Sequence, residues 1–349
     1  MKYSALTLAI VCAAPIACAQ GPAVSVIAFG SCAYDDKPQP IWDEIIARDP
    51  DLFLFIGDNT YADVPDVPTN AAEIADDWAA LGAKPGYQRM KAHCPIHAIW
   101  DDHDYGLNDA GKEWHLKAEA QELFLDFFDV PSDDPRRSRE GIYFSETFGP
   151  PGKRLQVIML DTRYFRDGLN ERKLEFRAAD GLGPYSPRLY GQGTLLGDAQ
   201  WEWLEEELSE PADVRIIASS IQVVAREHGW ECWGNFPHEL DRLMDLIDNT
   251  KASGVFFISG DRHLMELSVD EAIGPYEIWD FTSSGLTQPV EPIDDPNSYR
   301  RGDVVRDTNY GILRIEWELD DPWINFEGYG RDGKVHVTDR VRLSSLHNE

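Results

Sequence analysis

Leu52 to Asp63 reads LFLFIGDNTYAD, an apolar run that stops at a Gly-Asp pair and is followed by a polar loop. Five bulky residues without polar alternation are typical of a central strand that is covered on both faces. Gly57 allows a sharp turn, so Asp58 stands at the carboxyl end of this strand, where open α/β sheets bind their ligands. Asp58 and Tyr61 share one short loop and together can bind a metal ion. The alternative is an ordinary Asx turn beside a surface tyrosine.

The same layout, an apolar run followed by chemically active side chains, recurs at three other places. The runs are VSVIAFG, PIHAIW and GVFFISG, and the residues that follow them are Cys32, Asp102, His103, Asp261 and His263. Carboxyl ends of parallel strands meet at one edge of a sheet, so we expect these side chains to lie close together. Two of these features also have an ordinary structural interpretation. Cys32 can be a small packed side chain, and Asp101–Asp104 can be a solvated acidic turn.

Composition limits the partners of the chain. Its 349 residues include 62 Asp and Glu against 32 Lys and Arg, which gives a formal net charge of -30. Such a surface repels nucleic-acid backbones and anionic membranes at long range. Beyond the amino terminus no apolar stretch is long enough to span a bilayer. We therefore expect no nucleic-acid partner and no stable membrane insertion, while the oligomeric state stays open.

Residues 1–19 read MKYSALTLAIVCAAPIACA, which predicts a signal peptide: one Lys, an apolar core, and a small-x-small cleavage signal before Gln20. No twin arginine is present, which favours the general secretory route and a periplasmic or extracellular location. Lipid attachment at Cys18 is the alternative, and Pro15 disfavours it. No linker, repeat or low-complexity tract divides the remainder, so we expect one domain over residues 20–349.

Three cysteines would remain after cleavage: Cys32, Cys94 and Cys232. An odd number in an exported protein leaves at least one thiol free or bound to metal. Cys94 precedes one strand and Cys232 follows another, so they are expected at opposite ends of the sheet. A disulfide between them is an open alternative, but we do not expect it.

Helical patterns alternate with strands until the last third of the chain, where strands dominate. The predicted helices cover residues 41–47, 70–81, 85–93, 106–129, 199–210 and 238–251. Residues 165–193 lack periodicity and are predicted to form a long loop near a site. The closing strands, predicted to be antiparallel, cover residues 276–282, 312–319, 323–329 and 335–343, with Asp332-Gly333 as a hairpin turn. The pattern predicts a layered α/β domain.

In combination, seven segments resemble the PhoD-type alkaline phosphatases of the calcineurin-like metallophosphatase superfamily. They are GSC (30–32), GDNTY (57–61), WDDHDYGLNDAG (100–111), FLDFFDVP (124–131), LDTRYFRD (160–167), LLGDAQWEWL (195–204) and SGDRH (259–263). Together they are highly specific and cover nearly all of the mature chain, which resembles the short form of the family. The resemblance implies a four-layer αββα sandwich: two packed mixed β-sheets flanked by helices, with antiparallel C-terminal strands.

The resemblance also implies a site for two metals. A ferric ion, Fe3+, would be bound by Cys32, Asp58, Tyr61 and His263, and Ca2+ or another hard divalent ion by Asp58, Asp102 and Asp261. Thiolate and phenolate suit a trivalent transition metal, whereas carboxylates suit an oxygen-seeking cation. A pair of zinc ions fits less well, because Asp102 and Asp261 offer oxygen where many relatives offer nitrogen or amide.

Two adjacent cations would lower the pKa of a bridging water, and the resulting metal-bound hydroxide would attack phosphorus. His103 is the candidate to protonate the leaving oxygen or stabilise the transition state. Asn59 and Arg163 are candidates to hold the phosphate, although either is equally explained as a structural hydrogen-bonder.

The expected function is therefore that of a secreted alkaline phosphatase acting on small phosphomonoesters. A phosphodiesterase or phospholipase-D-like hydrolase is one alternative. Another is an exported binding protein with an inactive site. That alternative would require the loss of a metal ligand or of His103, and none of these residues is missing.

Overall fold

Two large β-sheets pack face to face with helices on their outer surfaces, as the resemblance implies. The computed structural model describes residues 21–289 and 295–347. These described residues do not include the predicted signal peptide, residues 1–19, or Cys18, the residue of the alternative lipid attachment. Within them, no helix has the length and apolar character needed to cross a bilayer.

Fifteen strands occur in the described residues. Their bounds are β1 Val26–Gly30, β2 Leu52–Ile56, β3 Ile96–Ile99, β4 Phe144–Phe148, β5 Leu155–Met159, β6 Asn170–Glu171, β7 Tyr185–Ser186, β8 Val214–Ser219, β9 Val255–Ser259, β10 Met265–Asp270, β11 Ile278–Ser283, β12 Arg300–Val305, β13 Asn309–Ile315, β14 Trp323–Gly330 and β15 Val335–Arg342.

The first sheet has the strand order β15-β14-β13-β1-β2-β3, and the second has the order β12-β10-β11-β9-β8-β5-β4. In the first sheet β1, β2 and β3 are parallel, and β13 pairs antiparallel to β1. In the second sheet β5, β8, β9 and β11 are parallel, with antiparallel strands at both edges. Both sheets are therefore mixed, and β6 and β7 form a separate hairpin.

Strand β2 lies between β1 and β3, and all five of its residues are buried. This confirms the sequence interpretation of LFLFI as a strand that is covered on both faces. Gly57 follows with φ 104°, and a Cβ at this position would lie 2.6 Å from the Cβ of Asp101. Only glycine allows both this backbone conformation and this close approach.

Eight α-helices occur in the described residues. Their bounds are α1 Ile41–Ile46, α2 Ala71–Gly82, α3 Pro85–His93, α4 Asp102–Tyr105, α5 Lys117–Phe127, α6 Leu174–Asp180, α7 Gly197–Ser209 and α8 Pro237–Asn249. Trp42 of α1 packs on Phe53 and Phe55 of the first sheet, with ring centroids 5.4 and 5.7 Å apart. Gln156 of β5 donates a 3.0 Å hydrogen bond to the Glu207 carbonyl of α7. Helices thus cover both sheets.

The long helix predicted over residues 106–129 is wrong in its first half, because helix α5 is the only part of that range that forms a long helix. The backbone N–H groups of Asn108 and Asp109 donate instead to the carboxylates of Asp63 and Asp102, each at 2.7 Å. Asp109 also has φ 55°, in the left-handed region. Long-range bonds to these two carboxylates therefore replace the helical bonds that the local pattern favoured.

The closing strands differ from the prediction in two respects. Strand β11 of the second sheet is antiparallel to β10 but parallel to β9, so residues 276–282 do not form a purely antiparallel strand as predicted. In the first sheet, antiparallel pairing begins with β13. Strands β10 and β12 were not predicted, and the predicted loop over residues 165–193 contains helix α6 and the β6–β7 hairpin. The hairpin turn at Asp332-Gly333 is confirmed, since Gly333 has φ 68° between β14 and β15.

Phe326 connects the two sheets. It lies on β14 in the first sheet and is fully buried. Its ring centroid is 5.3 Å from those of Phe256 and Trp279 and 5.9 Å from that of Phe281, all in the second sheet. This aromatic cluster fixes how one sheet sits on the other.

We expect Phe326→Ala to lower the free energy of unfolding by about 3–5 kcal/mol, because it opens a cavity between the sheets. Phe176→Ala is the matched control: Phe176 is 55% exposed, so its loss should cost less than about 0.5 kcal/mol. Urea unfolding followed by tryptophan fluorescence measures both. Equal effects of the two substitutions would contradict the assigned contact.

Candidate metal centre

The predicted ligands follow strands of both sheets, at the place where the carboxyl ends of these strands meet. Cys32, Asp58 and Asp102 follow β1, β2 and β3, whereas Asp261 and His263 follow β9 of the second sheet. The expectation of a single sheet edge is thus corrected to a junction between two sheets. The loops are tied together there, because the Cys32 N–H donates to the Gly57 carbonyl at 3.3 Å.

Four of the six predicted ligands have left-handed backbone conformations. The φ angles are 62° at Cys32, 48° at Asp58, 65° at Asp261 and 55° at His263. This conformation costs a non-glycine residue roughly 1 kcal/mol or more, and such strain concentrates at functional sites. The surrounding contacts therefore hold these side chains in place against a local preference.

Four donor atoms of different chemistry converge on one point. Asp58 Oδ2 lies 3.3 Å from Cys32 Sγ, 3.3 Å from Tyr61 Oη and 4.0 Å from His263 Nε2. Tyr61 Oη lies 3.1 Å from His263 Nε2. Atoms that each bind one ion at about 2.0–2.3 Å have separations of this order. The structure therefore brings together all four residues predicted for the ferric ion.

A second group beside the first consists of carboxylates. Asp101, Asp102 and Asp261 each place an oxygen within 4.8 Å of the others, and Asp58, Asp102 and His103 form another such group. Oxygen donors of this kind fit a hard divalent cation. Asp58 is common to the thiol-containing group and to the group with Asp102 and His103, whereas Asp261 joins Asp102 in the other carboxylate group.

Burial shapes the acidity of these groups. It raises the pKa of the Cys32 thiol to about 12. Burial also raises the pKa values of Asp58, Tyr61 and Asp261 well above their usual range, and neighbouring acidic groups add to the shift. Acidic groups packed together in this way need a compensating positive charge when they ionise. Their convergence and chemistry therefore fit bound cations.

His103 is held by a carboxylate and by a ring. Its Nδ1 lies 2.5 Å from Asp63 Oδ1, and its imidazole stacks on Tyr61 with centroids 4.3 Å apart. Burial opposes its charged form, but the carboxylates of Asp102, Asp58 and Asp63 together raise the pKa of His103 to about 11. These carboxylates therefore favour the protonated form of the imidazole.

His263 has the opposite character. Burial, assisted by the positive charge of His103, lowers the pKa of His263 to about 4. Its neutral ring keeps a lone pair that can bind a cation. The pKa values of the two imidazoles are thus shifted in opposite directions.

Arg163 is fully buried and faces three carboxylates. Its Nε donates to Asp101 Oδ1 at 2.6 Å, its Nη1 contacts Glu231 Oε2 at 2.7 Å, and its Nη2 lies 4.0 Å from Asp102 Oδ1. Ser220 also donates to Asp101 Oδ1, at 2.6 Å. Arg163 thereby fixes the carboxylates on one side of the centre.

Asn59 is also fully buried, and its donor nitrogen is already engaged. Nδ2 donates to the Ile99 carbonyl at 2.8 Å and to the Asp104 carboxylate. Its Oδ1 is buried and has no hydrogen-bond partner among the described residues. The side-chain atom of Asn59 that is left without a hydrogen bond, Oδ1, is therefore an acceptor and not a donor.

Four acidic residues at this centre were not among the predicted site residues: Asp63, Asp101, Asp109 and Glu231. Asp63 closes the LFLFIGDNTYAD stretch and Asp101 opens the acidic run, so position alone could have found them. Glu231 lies in an aromatic-rich loop, where only the fold brings it to Arg163. Asp109, Asp102 and Glu231 form a further group of close oxygens.

Solved structures share this fold. PhoD matches with a TM-score of 0.67 and 16% identity, over 92% of this chain and 72% of that one. A purple acid phosphatase from yellow lupin (Lupinus luteus) matches with a TM-score of 0.61 and 13% identity, over 92% of this chain and 54% of that one. Plasmodium GAP50, described as an anchor in the inner membrane complex, matches with a TM-score of 0.54 and 11% identity, over 94% of this chain and 90% of that one.

These identities establish a shared fold only. No curated protein matches the chain significantly. The sequence profile of the PhoD-like phosphatases, in contrast, matches residues 27–298. The match covers well over half of the chain and includes every predicted ligand, so the chain belongs to the PhoD-like phosphatase family.

Proposed function

We propose that the chain is an exported, metal-dependent alkaline phosphatase that hydrolyses small phosphomonoesters. The observation that carries this proposal is the convergence of Cys32, Asp58, Tyr61 and His263 on one point. Carboxylates beside this point supply a second donor set. Membership of a phosphatase family supports the reaction class.

We assign Fe3+ to Cys32, Asp58, Tyr61 and His263, and Ca2+ to Asp58, Asp102 and Asp261. The mixed thiol, phenol, imidazole and carboxylate set supports the first assignment, and the all-oxygen set supports the second. When bound, two such cations acidify water and stabilise negative charge on the phosphoryl group. Asp58 belongs to both donor sets.

His103 supplies the proton to the leaving oxygen. Asp63 binds its Nδ1, and stacking on Tyr61 fixes the plane of the ring. Its Nε2 makes no hydrogen bond to a described residue, so this atom is available to the substrate. Asp63 is a positioning residue, because it acts on the substrate only through His103.

The contacts of Asn59 and Arg163 favour positioning over phosphate binding. Asn59 keeps only an acceptor oxygen, which cannot donate to a phosphate. The Arg163 guanidinium is fully buried against Asp101 and Glu231. We therefore propose that Asn59 and Arg163 hold the neighbouring acidic side chains in position.

The first prediction concerns the reaction. Purified protein should hydrolyse 4-nitrophenyl phosphate faster than bis(4-nitrophenyl) phosphate, and prolonged chelation should abolish the activity because both donor sets would lose their cations. Asp58→Ala should do the same, whereas Asp133→Ala, at an exposed residue, should have no effect. If only the diester is hydrolysed, the protein is a phosphodiesterase instead. If neither ester is hydrolysed, the proposed phosphatase function is wrong.

The second prediction concerns iron. A ferric ion bound by the Tyr61 phenolate absorbs visible light by charge transfer, so the protein should be coloured and Tyr61→Phe should shift or remove the band. Tyr34→Phe is the control, because the Tyr34 ring lies only 5.0 Å from Tyr61 but is not a proposed ligand. Full activity in a colourless preparation, with no iron by elemental analysis, would contradict the ferric assignment.

The third prediction concerns His103. His103→Ala should keep both metals yet lose turnover by roughly 10²–10⁴, the usual contribution of a positioned acid or base. The loss should shrink for esters with acidic leaving groups, which need no proton. Loss of metal would instead make His103 a ligand, and unchanged rates would make it structural.

Asp63→Asn extends the same test. A raised pKa keeps His103 protonated up to alkaline pH, and activity that needs this proton falls as pH passes the pKa. Removing the negative charge of Asp63 should therefore move the alkaline limb of the pH profile to lower pH. An unmoved limb would show that Asp63 does not act through His103.

A further inference from the structure

One hydroxyl group at the candidate metal centre has no role in the function proposed above. Ser284 follows strand β11, whose carboxyl end lies beside that of β9 in the second sheet. Its side chain is fully buried, as is that of Cys32. Ser284 Oγ lies 3.2 Å from Cys32 Sγ, although the two residues are 252 positions apart in the chain. The fold therefore brings this hydroxyl to a predicted iron ligand.

The contacts of this hydroxyl show which way its proton points. The backbone N–H of His263 donates to Ser284 Oγ at 2.8 Å, so in that contact the oxygen is the acceptor. The hydroxyl also has one proton to donate, and Cys32 Sγ is the other hydrogen-bond partner of Ser284 Oγ in the part of the chain that the structure describes. A cysteine sulfur that binds a metal ion has lost its own proton. Ser284 is therefore the donor and the Cys32 sulfur the acceptor.

A second hydroxyl near the sulfur has different contacts. Ser31 Oγ lies 3.5 Å from Cys32 Sγ, and it also lies 3.4 Å from the Ser283 carbonyl oxygen. Its proton has an alternative acceptor, and its contact with the sulfur is the longer of the two. Ser284 is therefore the principal hydroxyl donor to Cys32.

The chain that follows Ser284 holds this contact in place. Thr287 donates its backbone N–H to the Cys32 carbonyl at 3.0 Å, and Leu286 makes the same contact with the carbonyl of the preceding residue. The loop after β11 is thus bonded along the loop after β1. Through its hydroxyl, Ser284 also connects Cys32 to His263, which are predicted iron ligands that follow strands of different sheets.

We propose that Ser284 is a positioning residue that donates a hydrogen bond to the Cys32 thiolate and thereby tunes the iron site. The proposal rests on the ferric site of the function proposed above and adds a group that regulates it. Hydrogen bonds to ligand sulfurs help to set the reduction potential of iron centres. The hydroxyl withdraws electron density from the sulfur, which leaves more positive charge at the centre to act on a phosphoryl group.

The test measures the visible spectrum and the midpoint potential of the iron-containing protein. Resonance Raman spectra identify the sulfur-to-iron charge-transfer band, because excitation in that band enhances the iron–sulfur vibration. Ser284→Ala should keep the iron but shift this band to longer wavelength and the midpoint potential to lower values. A sulfur without the hydrogen bond donates more strongly and so stabilises the ferric state.

Two further variants serve as controls. Ser283→Ala makes the same change at the adjacent, fully buried serine, whose hydroxyl donates to Asn309 Oδ1 at 3.0 Å, and it should leave the band and the potential unchanged. Ser284→Thr keeps a hydroxyl and should retain most of the wild-type spectrum. If Ser284→Ala fails to bind iron, Ser284→Thr decides: a wild-type spectrum supports the hydrogen bond, whereas a shifted spectrum or loss of iron overturns it.

The outcomes separate this inference from the site on which it rests. If wild-type protein has a sulfur-to-iron band and Ser284→Ala moves neither the band nor the potential, the inference is wrong and the ferric site stands. Equal shifts in Ser283→Ala and Ser284→Ala would also overturn it, because they would show a general disturbance of the core. If wild-type protein contains no iron, or iron without such a band, the ferric assignment is wrong and the inference falls with it.

Discussion

The dominant physical constraint in this protein is the burial of several carboxylates at one junction. Asp101, Asp102 and Asp261 place oxygens within 4.8 Å of one another, as do Asp58 and Asp102, and Asp58, Asp101 and Asp102 are almost fully buried. Like charges in such a place repel one another strongly, because little water remains to screen them. Arg163 offsets part of this cost through its contacts with Asp101 and Asp102. Bound cations offset the remainder in the function that we propose.

The fold explains how such a cluster is held. The loops after β1, β2 and β3 meet the loop after β9 because two sheets pack face to face, and Phe326 fixes that packing. Left-handed backbone at Cys32, Asp58 and Asp261 then turns each side chain toward the junction. A rigid sandwich can carry this local strain, since the energy of its core far exceeds the cost at the few strained positions. The fixed donor positions in turn permit the binding of metal.

Local sequence patterns predicted the parts of the structure that local interactions determine. The apolar run of β2 and its Gly-Asp ending identified Asp58, and the same layout after three other runs identified Cys32, Asp102, Asp261 and His263. The family resemblance assigned them to two metals. The patterns did not predict the second sheet edge or the end of helical structure around Asp109, because both depend on contacts between distant segments. Glu231 was missed for the same reason, because it meets its partner Arg163 only in the folded chain.

Crystallography with anomalous scattering at the iron absorption edge is the most direct measurement of the proposed centre. Crystals of protein purified without added metal should give an anomalous peak within bonding distance of Cys32 Sγ, Asp58 Oδ2, Tyr61 Oη and His263 Nε2. The same four atoms already converge on one point in the structure. An iron peak elsewhere, or a fully active crystal without iron at this point, would contradict the proposed ferric site.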